Sequence, residues 1–457
     1  MMDTATAASA VQGRVIGGNV RFARVTTDSR ALAAGDLFVA LAGERFDGHD
    51  FVAAAFERGA AAALVAESRA GALPGDLIVV ADPLAALGQL AAHWRREFAL
   101  PVIVVAGSNG KTTVKEMLAA VLRAHFGAEA VHATRGNLNN AIGLPLTMLA
   151  LRPQHRVAVI ELGMNHPGET AALAAIAQPT VALVNNAQRE HQEFMRSTAD
   201  VAEEHAALVR ALPADGVAVL NADDAHVAVW RAAAHGHGSV VDFGLDRAAA
   251  VRGRYAGGAG AGVLDLATAA GEATVRLAVP GRHNAANALA ATAAAMAVGV
   301  PLAAVVRGLE AFRPVAGRLV ARAAPHGVKV IDDTYNANPD SVRAAIDVLG
   351  EMPGPRWLVL GDMGEVGAQG PAFHREIGEY ARTRGIDRLL TAGALAAESA
   401  AAFGAGAEPF ATVEALAAGL AQDAPERATV LVKGSRFMRM ERVVGMLTGE
   451  AAAGGTH

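Results

Sequence analysis

The chain has 457 residues, and at roughly 150 residues per domain this length predicts about three domains. Its 40 lysines and arginines stand against 45 aspartates and glutamates, a net charge of −5 without a block of one sign, which excludes a basic nucleic-acid footprint, and 52% hydrophobic content excludes a disordered chain. With 0 cysteines, disulfide scaffolds, thiolate metal sites and cysteine nucleophiles are excluded as well.

The opening stretch from Met1 to Arg14 has neither the basic region nor the long apolar segment of a secretory signal, so a cytoplasmic chain is expected. Leu37 to Leu41 and Leu77 to Val80 are short apolar runs among Gly/Asp turns, and predict a small mixed domain. Val102 to Ala106 is the continuous apolar run of a buried parallel strand. Val157 to Ile160, Val181 to Val184, Val217 to Leu220 and Val240 to Phe243 repeat it, with helix-compatible stretches between several of them, which predicts a doubly wound sheet. Arg252 to Pro280 is Gly-rich and alternating, and reads as a small antiparallel excursion.

Leu289 to Val306 carries no charge and reaches the length of a spanning helix. It is mostly alanine, however, and Gly299 and Pro301 interrupt it, so a buried helix, a turn and a second helix are expected instead of membrane insertion. Phe312 to Arg318 reads as a linker. Val328 to Ile331, Trp357 to Leu360, Leu389 to Thr391 and Val430 to Val432 then predict another alternating sheet. The expected fold class is α/β in three domains, at 1–98, 99–312 and 313–457.

The sharpest local signal is Gly107-Ser108-Asn109-Gly110-Lys111-Thr112-Thr113, placed between the first central strand and the helix predicted over Val114 to Arg123. A glycine-rich turn lets backbone N–H groups surround phosphate oxygens, and the helix start adds partial positive charge. Lys111 would reach the β- and γ-phosphates and the Thr112 hydroxyl would hold Mg²⁺. Val105 stands where the usual phosphate-loop pattern has its first glycine. The alternative is an ordinary strand–turn–helix junction; strand, paired glycines and Lys-Thr-Thr together favour the phosphate. Lys111 and Lys115 are two of the only four lysines in the chain, the others being Lys329 and Lys433.

Ligands of open α/β sheets bind beyond the carboxyl ends of the strands. Glu161, Asn185, Asn186 and His191 follow strands there. Glu161 is a candidate Mg²⁺ ligand, and His191 reads either as a metal ligand or as a structural histidine. No Asn-Lys-x-Asp guanine reader follows, which argues against a GTPase.

These residues resemble the Mur ligase family, ATP-dependent amide-forming enzymes of peptidoglycan synthesis, along essentially the whole chain. Gly107 to Thr113 is similar to the family's shortened phosphate loop, and Arg282-His283-Asn284-Ala285-Ala286-Asn287 to its adenine-proximal helix start. Gly317-Arg318 resembles the family's Gly-Arg after the inter-domain linker. Asp332-Asp333-Thr334-Tyr335-Asn336-Ala337-Asn338-Pro339, Leu360-Gly361-Asp362-Met363-Gly364-Glu365 and Lys433-Gly434-Ser435-Arg436 are similar to the branch that adds D-alanyl-D-alanine. Thr27-Asp28-Ser29-Arg30 and Asp47-Gly48-His49 look like its UDP-sugar domain, and Thr134 to Asn140 like the loop that meets the muramoyl peptide.

The resemblance implies a UDP-substrate domain at 1–98, a central P-loop ATPase-like sheet, and a Rossmann-like C-terminal domain that closes over ATP and carries the amine. It implies Lys111, Glu161, His191 and Arg318 as catalytic, with Thr112, Glu161 and His191 at Mg²⁺. The seven loop residues Gly107, Ser108, Asn109, Gly110, Lys111, Thr112 and Thr113 would bind ATP together with Asn287, Arg318, Asp333 and Tyr335. Ser29, Arg30, Asp47, His49, Thr134, Asn137, Asn139 and Asn140 would take the UDP substrate, and Asn336, Asn338, Lys433 and Ser435 would lie on the amine side. Alone, Asp332-Asp333 and Tyr335 read as a strand-end turn with a packed aromatic.

The implied substrates are ATP, UDP-N-acetylmuramoyl-tripeptide and D-alanyl-D-alanine, joined through an acyl phosphate by an enzyme expected to be a monomer. A folylpolyglutamate synthase-like ligase would share the phosphate loop but not the first-block strings. A non-catalytic nucleotide-binding regulator is the alternative of another class. One departure stands out. Many members hold a second Mg²⁺ with a carbamoylated lysine past the metal histidine, and matching the family places His205 there, which leaves Glu203, Glu204 or ATP phosphate and water with His191 to supply the missing oxygen.

Overall fold

The computed structural model of the chain describes residues 1–44, 46–258, 261–423 and 426–449. Three large sheets and a two-stranded pair, Met2–Asp3 with Arg21–Phe22, organise them. The first has five strands in the spatial order Arg14–Ile16, Leu77–Val80, Ala62–Ala66, Asp36–Val39 and Arg24–Thr26, parallel except for the first pair. Helix Pro83–Arg95 follows, its start fixed by Asp82, whose carboxylate accepts from the Leu84 and Ala85 amides. Leu87, Leu90 and Ala91 on this helix join an apolar core that runs on into the second sheet's helices Gly143–Leu149 and Glu169–Ala177.

The second sheet has nine strands: Val131–Ala133, Val157–Glu161, Val102–Ala106, Val181–Val184, Val217–Asn221, Ser239–Gly244, Val251–Gly258, Ala261–Thr268 and Gly271–Leu277. Seven run parallel, and the last two alternate. The antiparallel excursion expected over Arg252 to Pro280 is present, and it extends the main sheet through Phe243 paired with Val251. Val102–Ala106 is buried along its whole length because helices cover both faces. The chain moves to one side of this strand for the next two strands and to the other side afterwards. This reversal opens a crevice at the strand's carboxyl end.

The alanine-rich stretch folds as helix Arg282–Ala297, a turn, and helix Leu302–Ala311, both packed on helix Lys111–Phe126. Alanine permits this because it keeps helix propensity while letting backbones approach closely. At Gly308 an added Cβ would stand 2.2 Å from Val121 Cα, so no side chain fits. No helix among the described residues is long and apolar enough to cross a membrane.

Phe312 to Leu319 carries no regular element and leads into the third sheet. Its order is Val320–Ala323, Lys329–Asp333, Thr429–Lys433, Arg356–Gly361, Arg388–Ala392 and Ala407–Phe410, parallel after the first pair. The two apolar clusters of this lobe draw only on residues from Leu319 onward.

Candidate functional site

A cleft of about 2040 Å³ lies where the crevice of the second sheet faces the third lobe. Single small-molecule sites span roughly 300–1,000 Å³, so this one has room for more than one ligand. The phosphate loop forms its floor. Gly107 and Gly110 adopt φ of +133° and +84°, and a Cβ on Gly110 would stand 2.4 Å from Asn287 Oδ1, so both conformation and space demand glycine. Helix Lys111–Phe126 starts directly after Gly110 and aims its free N–H groups at the cleft.

Asparagines brace the loop from behind. Asn109 N–H donates to Asn186 Oδ1 at 2.8 Å, and the Asn109 carbonyl accepts from Asn185 Nδ2 at 2.8 Å and Asn186 Nδ2 at 3.0 Å. Asn185 Nδ2 also reaches Asn287 Oδ1 at 2.9 Å, which ties the loop to helix Arg282–Ala297. Burial lowers His283 to about 4, so a neutral imidazole lines this end of the cleft.

Lys111 Nζ donates to the Gly107 carbonyl at 2.6 Å and the Ser108 carbonyl at 3.2 Å, and lies 3.3 Å from Glu190 Oε2. Thr112 Oγ1 donates to Glu161 Oε1 at 3.1 Å, and Asn139 Nδ2 reaches the same oxygen at 2.8 Å. Glu161 Oε2 is buried without a hydrogen-bond partner, 3.9 Å from the buried Lys115 Nζ. A hydroxyl beside a partnerless carboxylate oxygen suits a hard cation such as Mg²⁺. Among the described residues no three His, Asp or Glu side chains form a complete ligand set. The donors fit an ion held largely by phosphate and water.

Glu190 is the functional candidate that sequence reasoning missed. Its carboxylate is 5% exposed; Oε2 lies 3.8 Å from His191 Nε2, and Oε1 lies 3.3 Å from His205 Nε2. Burial would raise it, yet Lys111 foremost, with His205 and His191, holds it well below the usual carboxylate range. The site thus contains a fixed anion beside the phosphate-loop lysine. Nothing in the string Gln188-Arg189-Glu190-His191 signals this, because Lys111 and His205, which enclose Glu190 with the adjacent His191, stand elsewhere in the sequence.

The third lobe forms the roof. Arg318 Nη2 donates to Thr112 Oγ1 at 2.9 Å, and its guanidinium carbon lies 4.1 Å from the centre of the Tyr335 ring. Asn338 Nδ2 donates to Asn109 Oδ1 at 2.9 Å, while Asn338 Oδ1 caps helix Pro339–Gly350 through the Ser341 amide. Lys433 Nζ donates to Asp333 Oδ2 at 2.6 Å and the Asn336 carbonyl at 2.9 Å. Burial pushes the Asp333 carboxyl up, against the pull of Lys433. Ser435 Oγ donates to the Ala337 carbonyl at 3.0 Å and accepts from Gly364 N–H at 2.7 Å. His191 Nδ1 lies 2.6 Å from Glu365 Oε2.

The cleft brings together Ser108 to Thr113, Glu161, His191, Asn287, Arg318, Asp333, Tyr335, Asn336, Asn338, Lys433 and Ser435, with Asn137, Asn139 and Asn140 at its edge. It does not include Ser29, Arg30, Asp47, His49 or Thr134. His49 is buried with Nδ1 2.6 Å from Asp47 Oδ1 and Nε2 accepting from the Ala66 amide at 2.9 Å, so its ring is spent on bracing the first sheet. Asp47 also pairs with Arg69. Thr134 Oγ1 accepts from the Glu161 backbone N–H at 2.9 Å and Asn139 Nδ2 donates to the Glu161 carboxylate, so the two residues expected to meet the peptide brace this strand end. Asn140 Oδ1 accepts from the Ile142 and Gly143 amides. Arg30 is exposed and pairs with Asp28.

Comparison with known proteins agrees with this geometry. The chain matches the Mur ligase family catalytic domain over residues 21–95, the Mur ligase middle domain over 105–295 and the glutamate ligase domain over 317–436. It is 42% identical to UDP-N-acetylmuramoyl-tripeptide--D-alanyl-D-alanine ligase of Escherichia coli, over 96% of each chain. The crystal structure of MurF from Acinetobacter baumannii superposes with a TM-score of 0.90 at 35% identity, covering 98% of this chain and 99% of that one. MurF ligase from Thermotoga maritima in complex with ADP superposes at 0.80 with 28% identity, covering 93% and 97%.

Proposed function

The chain belongs to the Mur ligase family, and on that premise we propose that it uses ATP to join D-alanyl-D-alanine to UDP-N-acetylmuramoyl-tripeptide. The observation that carries this reading is the full-length match to ligases of that name, combined with a cleft large enough for several ligands between a phosphate loop and a second lobe.

ATP first phosphorylates the terminal carboxylate of the tripeptide, and the amine of the dipeptide then attacks the acyl phosphate, releasing phosphate. Carboxylate, γ-phosphate and the transition state between them are all anionic, so catalysis needs fixed positive charge and exclusion of water. Lys111 and the N-terminus of its helix bind the β- and γ-phosphates from the floor. Arg318 covers them from the roof. Asn287, steadied by Asn185, stands at the nucleoside end with Tyr335 and Asp333. Bound at Thr112, Glu161 and His191, Mg²⁺ would neutralise phosphate charge. Lys433 holds the turn of Asn336 and Asn338 in shape, and Ser435 does the same from the neighbouring strand, which presents this edge to the amine. We assign residues 1–98 to the UDP substrate, 99–312 to ATP and 313–457 to the amine. The test is phosphate release from ATP that requires both the UDP-tripeptide and D-alanyl-D-alanine; release with neither, or with a glutamate acceptor instead, overturns the reading.

Arg30 provides a check on the first lobe. Its guanidinium pairs with Asp28 and its side chain is 81% exposed, so Arg30→Ala is expected to leave the fold intact. If Arg30 meets the diphosphate, loss of this charged contact raises KM for the UDP substrate about tenfold and leaves KM for ATP unchanged. An unaltered KM for the UDP substrate would remove Arg30 from that site.

The departure at His205 gives a second check. Between residues 99 and 312 the only lysines are Lys111 and Lys115, the first held by loop carbonyls and the second buried with its Nζ 2.8 Å from the Thr134 carbonyl. Neither is free to take up carbon dioxide, whereas Glu190, backed by His205, already supplies a carboxylate at this place. Activity is therefore expected not to respond to bicarbonate, and mass spectrometry to find no carbamoylated lysine. A bicarbonate-dependent rise in rate contradicts this assignment of Glu190.

A further inference from the structure

Ligands must enter a cleft whose roof shares no apolar core with its floor, so the joint between the lobes is polar and separable. Arg189 is the most heavily engaged side chain across that joint. Nη2 donates to Asp340 Oδ1 at 2.6 Å, Nη1 donates to Glu376 Oε2 at 2.6 Å, and the Arg189 backbone N–H reaches Asp340 Oδ2 at 2.8 Å. The guanidinium carbon also lies 5.2 Å from the centre of the Phe373 ring. Arg189 and Asp340 side chains are 22% and 23% exposed, so the fork is largely shielded from water and salt. Asp340 lies in the first turn of helix Pro339–Gly350, directly after the residues of the amine side, and Glu376 lies on helix Gly370–Thr383 beside it. Arg189 itself directly precedes Glu190 and His191.

We infer that Arg189 is a positioning residue: by clasping Asp340 and Glu376 it holds the amine-bearing lobe against the loop that carries Glu190 and His191, so that the amine and not water meets the activated carboxyl. The inference rests on the ligase reading above. Its chemical consequence is specific. In a loosened joint water attacks the acyl phosphate, the bond between carboxylate and phosphoryl group breaks, and carboxylate plus inorganic phosphate leave with no amide formed.

The test compares Arg189→Ala, Arg189→Lys and Glu376→Gln in the full chain, measuring phosphate released per dipeptide incorporated and the radius of gyration in solution with and without a non-hydrolysable ATP analogue. Misplacement by about 1 Å at a reacting centre costs roughly 10²-fold, so Arg189→Ala is expected to lower kcat on that scale. Phosphate per product should rise above one, KM for ATP should rise as the roof contacts of Arg318 loosen, and compaction should need more of the analogue than in the wild type. Arg189→Lys keeps the charge without the fork and should recover part of the coupling. Glu376→Gln loosens the same joint from the other side and serves if Arg189→Ala fails to fold. Tight coupling with normal compaction in Arg189→Ala and Glu376→Gln, at any rate, overturns the inference. If the wild-type chain shows no dipeptide-dependent turnover, the ligase reading fails, and the compaction measurement still decides the clasp.

Discussion

Lys111→Ala is expected to lower turnover by at least about 10²–10³-fold, the scale for removing one preorganised donor to a developing anion. The variant also strips a buried carboxylate of its nearest cation, since Glu190 Oε2 lies 3.3 Å from Lys111 Nζ. Breaking a buried pair from one side costs about 3–5 kcal/mol, less here because His205 and His191 remain beside Glu190. Lost activity alone would therefore leave chemistry and stability entangled. Lys111→Ala/Glu190→Gln isolates the stability part, since neutralising Glu190 restores the melting temperature, and Glu190→Gln alone gives the carboxylate's own share of turnover. A folded Lys111→Ala variant with near-normal turnover would remove the nucleotide from this loop.

Glu161→Gln is the other substitution with a large expected effect. Glu161 Oε1 accepts from Thr112 and Asn139, and a glutamine oxygen can stay there while its amide nitrogen takes the place of the partnerless Oε2. Shape and both hydrogen bonds survive, so the fold is expected to hold. What disappears is the negative charge toward which a hard cation would be drawn. Turnover should fall about 10²-fold at moderate Mg²⁺ and recover partly as Mg²⁺ is raised, while KM for D-alanyl-D-alanine stays unchanged. A normal Mg²⁺ titration would place the ion elsewhere.

The strands that could be read from sequence are those where β-branched and leucine side chains run unbroken. Val102–Ala106 and Val181–Val184 have the predicted ends, and most others differ by a residue or two. Strands that escaped notice lack that chemistry. Ala62–Ala66 is mainly alanine, Val131–Ala133 is a three-residue edge, and Ala407–Phe410 contains Pro409, which only an edge strand tolerates. The helix of the phosphate loop starts at Lys111, three residues before Val114, because Gly110 in the left-handed region turns the chain straight into it. In the site, the phosphate loop, Glu161 and His191 could be picked out by their place after strands, whereas Asn287, Arg318, Asp333 and Tyr335 came only with the family resemblance; one cleft is lined by all of them. Neither route reached Glu190 or Arg189. Their roles depend on Lys111, His205, Asp340 and Glu376, which meet them only once the central lobe has folded and the third has docked.

The separate cores of the lobes also bear on how the molecule comes apart. Apolar surface is shared between the first sheet's helix and the central sheet, so these two lobes should unfold as one cooperative unit. The third lobe is joined to them through Asn109–Asn338, Arg318–Thr112 and the Arg189–Asp340 clasp, polar contacts in place of a shared apolar core. Among the described residues its apolar clusters are its own, so its melting leaves those of its neighbours intact. A ligand bridging floor and roof is bound only while the third lobe is folded and docked, and stabilises that state by RT ln(1 + [L]/Kd). Nucleotide therefore acts as a thermodynamic tether. Saturating it should draw two melting transitions toward one, moving the third lobe's transition most and that of the remaining body least.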